Sequence, residues 1–397
     1  MIPTMVIERV QAVRVEQSLW GAFWDAQKKA PSSSPMSRYP EFAGSLDSWW
    51  WPQALVVVRI DAGGCHGFGW AEDGTGGARS VIESHFRRLL EGQNARNIER
   101  IWDILYRASI PYGRKGVAIE ALSAVDIALW DLAGRAEGKP VYDLLGGAVH
   151  QRLPAYASNL QPVDKTLLVE EARAYVAEGF RAMKTRFPAS AGAGASGIRR
   201  NLDHVATLRE AIGDEIDLMA DAYMGWDLRF AKRMTAQLAA FDLGWIEEPL
   251  LPDELDAYAE LCRSSPVPIA HGENEFTPYG FREILLKKAA HILQPDVHRA
   301  GGITAVRKIA AQAEAAGLEI IPHAFSAPTV HVMASLPNFR MLEVLTVPVW
   351  ARDKIDDVPP VFLNEPVVEG GEVALQPAPG LGVALNTEDY PALRQLA

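Results

Sequence analysis

Asp221, Glu247 and Glu273 stand twenty-six residues apart in both intervals, and each closes a short apolar run. The runs are Ile216-Asp217-Leu218-Met219-Ala220, Leu243-Gly244-Trp245-Ile246 and Val267-Pro268-Ile269-Ala270-His271-Gly272. Three carboxylates without thiolate or imidazole form a hard oxygen donor set, which suits Mg2+ better than Zn2+. One acid at a strand end is more often a cap or an ion-pair partner; the repeated interval is what marks these three. Glu248 and Glu275 lie beside them and read as neighbouring or surface acids. Glu275 stays open as a ligand, because alternate residues of a strand share a face.

The rhythm continues through Asp296, His323 and Glu343. Asp296 ends Ile292-Leu293-Gln294-Pro295, and His323 ends Leu318-Glu319-Ile320-Ile321-Pro322. On adjacent strands a carboxylate fixes the tautomer of an imidazole and raises its basicity, so this pair is a candidate general base. Lys184 and Arg186 lie two apart in Ala182-Met183-Lys184-Thr185-Arg186, so both leave one face of a strand. A lysine beside a metal and another cation can have a lowered pKa and act as a base. Arginine stays protonated, so Arg186 suits holding a carboxylate or offsetting negative charge.

These groups need a scaffold that repeats. A βα unit takes roughly 25–35 residues, and a (β/α)8 barrel presents its chemistry at the C-terminal ends of its strands. Strands are expected at 153–157, 182–186, 216–221, 243–247, 267–273, 291–296, 319–323 and 340–345, with helices such as 202–212 and 303–316 between them. One helix is expected to be missing or irregular. Before the barrel, 5–14 and 54–61 read as strands and 80–137 as helices, an α+β arrangement. The chain therefore reads as α/β: a modified TIM-type barrel over 149–357 and an α+β capping domain over 1–148. A C-terminal segment, 358–397, returns to the cap.

Between the first two strands lies a long loop, about 18–53, carrying Trp20, Phe23, Trp24, Tyr39, Phe42, Trp49, Trp50 and Trp51. Loops of this length are usually functional or disordered, and so many rings argue against disorder. It reads as a loop packing its own rings, as a lid over a ligand, or as both.

Composition narrows the partners. The 397-residue chain has a formal charge of −11 and no Lys/Arg stripe, which speaks against a nucleic-acid partner. No apolar run reaches the roughly 18–20 residues of a membrane span. Cys65 and Cys262 form neither a metal spacing nor a disulfide framework, and the first residues lack a signal pattern. A cytoplasmic protein acting on a small molecule, with no membrane partner, is expected.

Several stretches carry a family resemblance: Asp126-Ile127-Ala128-Leu129-Trp130-Asp131-Leu132, Leu144-Leu145-Gly146-Gly147, Trp245-Ile246-Glu247-Glu248-Pro249, Gly272-Glu273, Gln294-Pro295-Asp296-Val297, Gly301-Gly302-Ile303-Thr304 and Pro322-His323. With Pro35-Met36-Ser37-Arg38-Tyr39 and Leu363-Asn364-Glu365-Pro366-Val367, the chain resembles the mandelate racemase branch of the enolase superfamily, most of all its L-rhamnonate dehydratase group. The resemblance implies Mg2+ on Asp221, Glu247 and Glu273, with Glu273 favoured over Glu275 because the family's ligand follows the glycine. It implies an acid/base dyad of His323 and Asp296, and a protonated Glu343 donating a hydrogen bond to an enediolate. The implied activity is that of a hydro-lyase, dehydrating an aldonate or aldarate to a 2-keto-3-deoxy acid. The implied assembly is a homo-oligomer, a dimer or an octamer.

Two departures stand out. Many relatives have Lys-x-Lys where this chain has Lys184-Thr185-Arg186. A racemase or epimerase needs competent bases on both faces of the α-carbon, so the arginine favours one-base elimination over that alternative. L-rhamnonate dehydratases also hold substrate with a His and an Arg from the capping loop. Here no His precedes His66, and Arg38 is the only Arg between positions 15 and 58. The rings of Trp20, Trp24, Trp49 and Trp50 are the substitutes at hand. A non-catalytic sugar-acid-binding protein is a third reading, disfavoured by the full set of acids.

Overall fold

The structure, a computed structural model, describes residues 5–16, 32–43, 53–355 and 358–397. Three antiparallel strands come first, β1 (Ile7–Glu16), β2 (Ala54–Ala62) and β3 (Cys65–Glu72), in that spatial order. Helices Ile98–Ser109 and Val117–Glu137 pack with them. In the first helix Ile98, Ile101, Trp102 and Leu105 recur at helical spacing and all are buried. The second lies directly on β3. A Cβ at Gly67 would sit 2.3 Å from Ala128 O, and one at Gly69 2.1 Å from Ala124 O, so this approach requires glycine at both positions.

Eight parallel strands follow: β4 (Arg152–Leu160), β5 (Ala182–Arg186), β6 (Asp217–Asp221), β7 (Leu243–Glu247), β8 (Ile269–His271), β9 (Ile292–Leu293), β10 (Glu319–Ile320) and β11 (Leu342–Val344). Consecutive strands pair from β4 to β10, and β11 returns to β4 with Leu342 opposite Ala155. A bridge between Ile320 and Phe339 closes the ring. A helix follows each strand through β10. After β11 the described chain has only the short turns Val349–Ala351 and Arg352–Ile355, so the irregular unit is the last.

The barrel interior is layered. Tyr156, Ala182, Met219, Trp245, Ala270, Ile292, Ile321 and Met341, one from each strand or its continuation, form a buried apolar floor. The next inward position on a strand is two residues on. Those positions are Ser158, Lys184, Asp221, Glu247, Gln294, His323 and Glu343. Strand β8 departs from this offset: Ala270 leads to Gly272, whose φ of 135° turns the chain before Glu273. A steric floor thus sets the height of a polar ring.

Cap and barrel are stitched by the motif around Asp126. Thr304 N donates to Asp126 Oδ2 (2.9 Å), Trp130 Nε1 to Thr304 Oγ1 (2.9 Å), and Trp102 Nε1 to Gly301 O (2.7 Å). Burial pushes the Asp126 carboxyl up to about 7. The C-terminal tail touches both bodies. Its strand Glu372–Ala374 pairs antiparallel with the start of β4, Leu381 N donates to Asp131 Oδ1 (2.8 Å), and Leu396 O accepts from Arg59 Nη1 (2.5 Å). No described helix is long and apolar enough to cross a membrane.

Candidate active site

Asp221 and Glu247 are direct partners in the β6–β7 register, and Arg186 is the partner of Asp221 in the β5–β6 register. Asp221 Oδ1 accepts from Tyr223 N (2.7 Å); Oδ2 is buried, accepts no hydrogen bond among the described residues, and lies 3.3 Å from Arg186 Nη1. Glu247 Oε2 accepts from Trp245 Nε1 (3.0 Å) and Gln294 Nε2 (2.5 Å), while Oε1 faces Lys184 Nζ. Glu273 Oε2 lies 3.6 Å from His323 Nε2, and Oε1 lies 3.7 Å from Arg299 Nη1. Burial, reinforced by Asp221, Glu343 and Glu273 against the opposing pull of Lys184, pushes Glu247 up to about 7. Acids that raise one another in this way form an environment that favours a cation.

The donor set, three buried carboxylates with an Asp221 oxygen that accepts no hydrogen bond among the described residues, fits a hard divalent ion. Among the described residues no three such side chains close on one point, and Lys184 and Arg186 engage Glu247 and Asp221. The neighbouring acids are committed elsewhere. Glu248 takes Asn274 Nδ2 (2.8 Å) and Gly272 N (3.3 Å), holding the loop after β8. Glu275 takes Phe276 N (2.7 Å) and Lys115 Nζ (2.8 Å), a strap to the cap, so both its oxygens are occupied.

His323 Nδ1 is 2.7 Å from Asp296 Oδ2, and Asp296 Oδ1 accepts from His298 N (2.6 Å). Burial disfavours a charged ring at His323, but Glu273 and the Asp296 hydrogen bond outweigh it and raise the ring to about 9. Asp296 also resists burial: the His323 hydrogen bond and Arg299 hold it well below the ordinary carboxylate range.

The electrostatics of this arrangement bear on two sequence expectations. Lys184 does not have a lowered pKa: although burial pulls down, Glu247, Glu343 and Asp221 raise it above the ordinary lysine value. Glu343 is drawn toward its charged form in this arrangement. Despite burial, Lys184 Nζ at 2.7 Å, the charge of His323 and the Ser158 Oγ hydrogen bond (2.6 Å) lower it to about 2. Arg186 is raised as well: burial opposes this, and Asp221 leads the effects that overcome it.

Sequence reasoning left four members of the site unassigned. Gln294 precedes Asp296 by two, and Ser158 follows Tyr156 by two, so inward periodicity could have found both. Arg299 and Glu72 have no periodic signal, because they lie on a loop and at the end of a cap strand. Of the capping loop, the described part runs along the rim: Ser33 N donates to Phe187 O (2.8 Å), just past β5. Arg38, Tyr39 and Phe42 are exposed; Trp20, Phe23, Trp24, Trp49, Trp50 and Trp51 lie outside the described residues. Left-handed backbone at non-glycine residues recurs just past the strands: Tyr223 (φ 41°), Met224 (58°), Glu248 (37°) and Ala324 (65°). Such strain concentrates where side chains must be held for function.

A closed barrel with this ring of acids and a His–Asp pair at one mouth, under an α+β cap, defines a class of capped barrel enzymes. Residues 50–146 match the mandelate racemase / muconate lactonizing enzyme N-terminal domain, and residues 167–390 the enolase C-terminal domain-like family. The chain belongs to the mandelate racemase branch of the enolase superfamily. It is 37% identical over 361 residues to L-rhamnonate dehydratase of Saccharopolyspora erythraea, covering 90% of each chain. Crystal structures of rhamnonate dehydratase from Gibberella zeae align with a TM-score of 0.87 at 30% identity and, complexed with Mg, 0.87 at 29%. They cover 99% and 100% of this chain, and 96% of theirs. A racemase from Streptomyces coelicolor A3(2) with bound magnesium aligns at 0.81 with 31% identity, covering 98% of this chain and 99% of that one.

Proposed function

We propose that this protein is an Mg2+-dependent hydro-lyase that dehydrates an acid sugar, an L-rhamnonate-like aldonate or an aldarate, to a 2-keto-3-deoxy acid. Asp221, Glu247 and Glu273 would hold the ion. When bound, Mg2+ supplies positive charge that draws on the substrate carboxylate and offsets the pull of Glu273 on the His323 proton.

His323 Nε2 takes the proton α to the carboxylate while Asp296 holds Nδ1 and balances the imidazolium. The C–H electron pair moves into an enediolate, whose charge Lys184 and Arg186 face as fixed cations. Collapse of the enediolate forms the Cα–Cβ double bond and expels the β-hydroxyl. His323 returns its proton to that hydroxyl, releasing water, and the enol tautomerises to the keto acid. Glu343 and Ser158 keep Lys184 aimed at the mouth. The observation that carries the one-base reading is geometric: Lys184 is ion-paired with Glu247 and Glu343 and Arg186 with Asp221, while the His323 ring is aimed by Asp296 at 2.7 Å with Nε2 toward the mouth acid Glu273.

The test is a library of aldonates and aldarates incubated with Mg2+, with keto acid trapped by semicarbazide. At least one should give product, and EDTA should abolish it. No product from any member sinks the proposal. Solvent deuterium entering the α-position without loss of water selects racemisation or epimerisation instead.

A further inference from the structure

We propose that Arg299 is a positioning residue through which the seating of the cap sets both the candidate metal ligand Glu273 and the dyad. The inference rests on the metal-assisted reading above. Arg299 lies three residues past Asp296 in a tight turn, with Ala300 N donating to Asp296 O (2.7 Å), and its residue is only 5% exposed. Its guanidinium meets three carboxylates on three parts of the chain. Nη2 and Nε approach Glu72 Oε2 (3.2 and 3.4 Å), at the end of cap strand β3. Nη1 donates to Glu273 O (3.3 Å) and lies 3.7 Å from Glu273 Oε1, while Nε lies 3.7 Å from Asp296 Oδ2.

A planar fork with five donors can hold these groups in one geometry; an ammonium cannot. Asp296 aims the His323 ring, and Glu273 is a candidate ligand, so one side chain governs the orientation of both halves of the chemistry. Glu72 is the link that makes this depend on the cap. Lys115, at 2.8 Å from Glu275, is a second tie between the cap and the loop after β8. Groups of this kind, one step removed from the ligands, typically change metal affinity or activity about 10–100-fold when altered.

The test uses the full chain, stripped with EDTA and titrated with Mn2+ by calorimetry. Melting in EDTA and the kcat and KM of the loaded enzyme are measured alongside. Arg299→Lys and Glu72→Gln should each weaken Mn2+ binding about tenfold or more. kcat should fall while KM changes less than about threefold, and melting in EDTA should shift by no more than about 3 °C; a residue that only stabilises the fold would move melting first. The double variant should lose no more than the worse single variant, because both act through one connection. Wild-type affinity in both single variants, or losses that multiply, overturns the inference. Should Arg299→Lys fail to fold, Glu72→Gln decides alone, since that side chain is 23% exposed and not locked in the core. A wild-type protein that binds no Mn2+ overturns the metal-assisted reading itself, an outcome distinct from unaltered binding in the variants.

Discussion

The two flanks of the barrel mouth treat their basic groups in opposite ways. On the β5 flank, Lys184 sits between Glu247 and Glu343, and Arg186 beside Asp221. Each is a cation that its paired acids hold toward the charged form. On the β9–β10 flank, His323 also faces acids, yet its ring stays near the range where a proton can leave, at about 9. The difference arises from the intrinsic affinity of each group, not from burial, which works against charge on both flanks. A mouth built this way has a fixed positive wall on one side and a proton carrier on the other, which suits removal of a proton and a hydroxyl from one face.

The largest effect that could break this comparison is on proton transfer. His323→Asn should reduce both keto-acid formation and exchange of the α-proton with deuterated solvent by about 10²–10⁴-fold. Exchange that persists in this variant would mean that the β5 flank carries a second base. A smaller effect probes how the positive wall is held. Ser158→Ala removes the hydroxyl donor to Glu343 and should cost kcat about tenfold, consistent with a hydrogen bond to a charged group worth roughly 1.5 kcal/mol. An unchanged kcat would show that Lys184 and the Ala324 N–H suffice to orient Glu343.

The smallest effect lies behind the β5 flank. His204 Nε2 is 2.7 Å from Thr185 Oγ1, and burial lowers its pKa to about 4 against 6.5 in an unfolded chain. Between these values the unfolded state binds more protons, so the stability contributed by neutral His204 is whole above pH 6.5 and lost as pH falls toward 4. His204→Asn should flatten the decline in urea midpoint between pH 7 and 5, by at most about 1.4 kcal/mol per pH unit. An identical decline in the variant would place the titration elsewhere, with His271 and His331 next in line.

Much of the arrangement was legible in the chain because barrels repeat. The even interval of Asp221, Glu247 and Glu273, and its continuation to His323 and Glu343, follows from strand ends that recur once per βα unit. What could not be read was the electrostatic state of those residues. Whether Lys184 is a base depends on Glu247 and Glu343, which arrive from strands far along the chain, and no local pattern reports their distance. Ser158 escaped because the first barrel strand runs to Leu160, beyond the apolar stretch that marks its start. Arg299 escaped because a loop has no period. Its meaning depends on Glu72, 227 residues earlier.

The two-residue offset between the apolar floor and the polar ring has an evolutionary consequence. On strands such as β6 and β7 the residue that selection must keep for folding, Met219 or Trp245, is a different residue from the one proposed to hold the metal, Asp221 or Glu247. Mutation can exchange the upper residue while inheritance preserves the lower one. A lineage carrying such a barrel can therefore explore new reactions one strand end at a time without first losing the body that displays them.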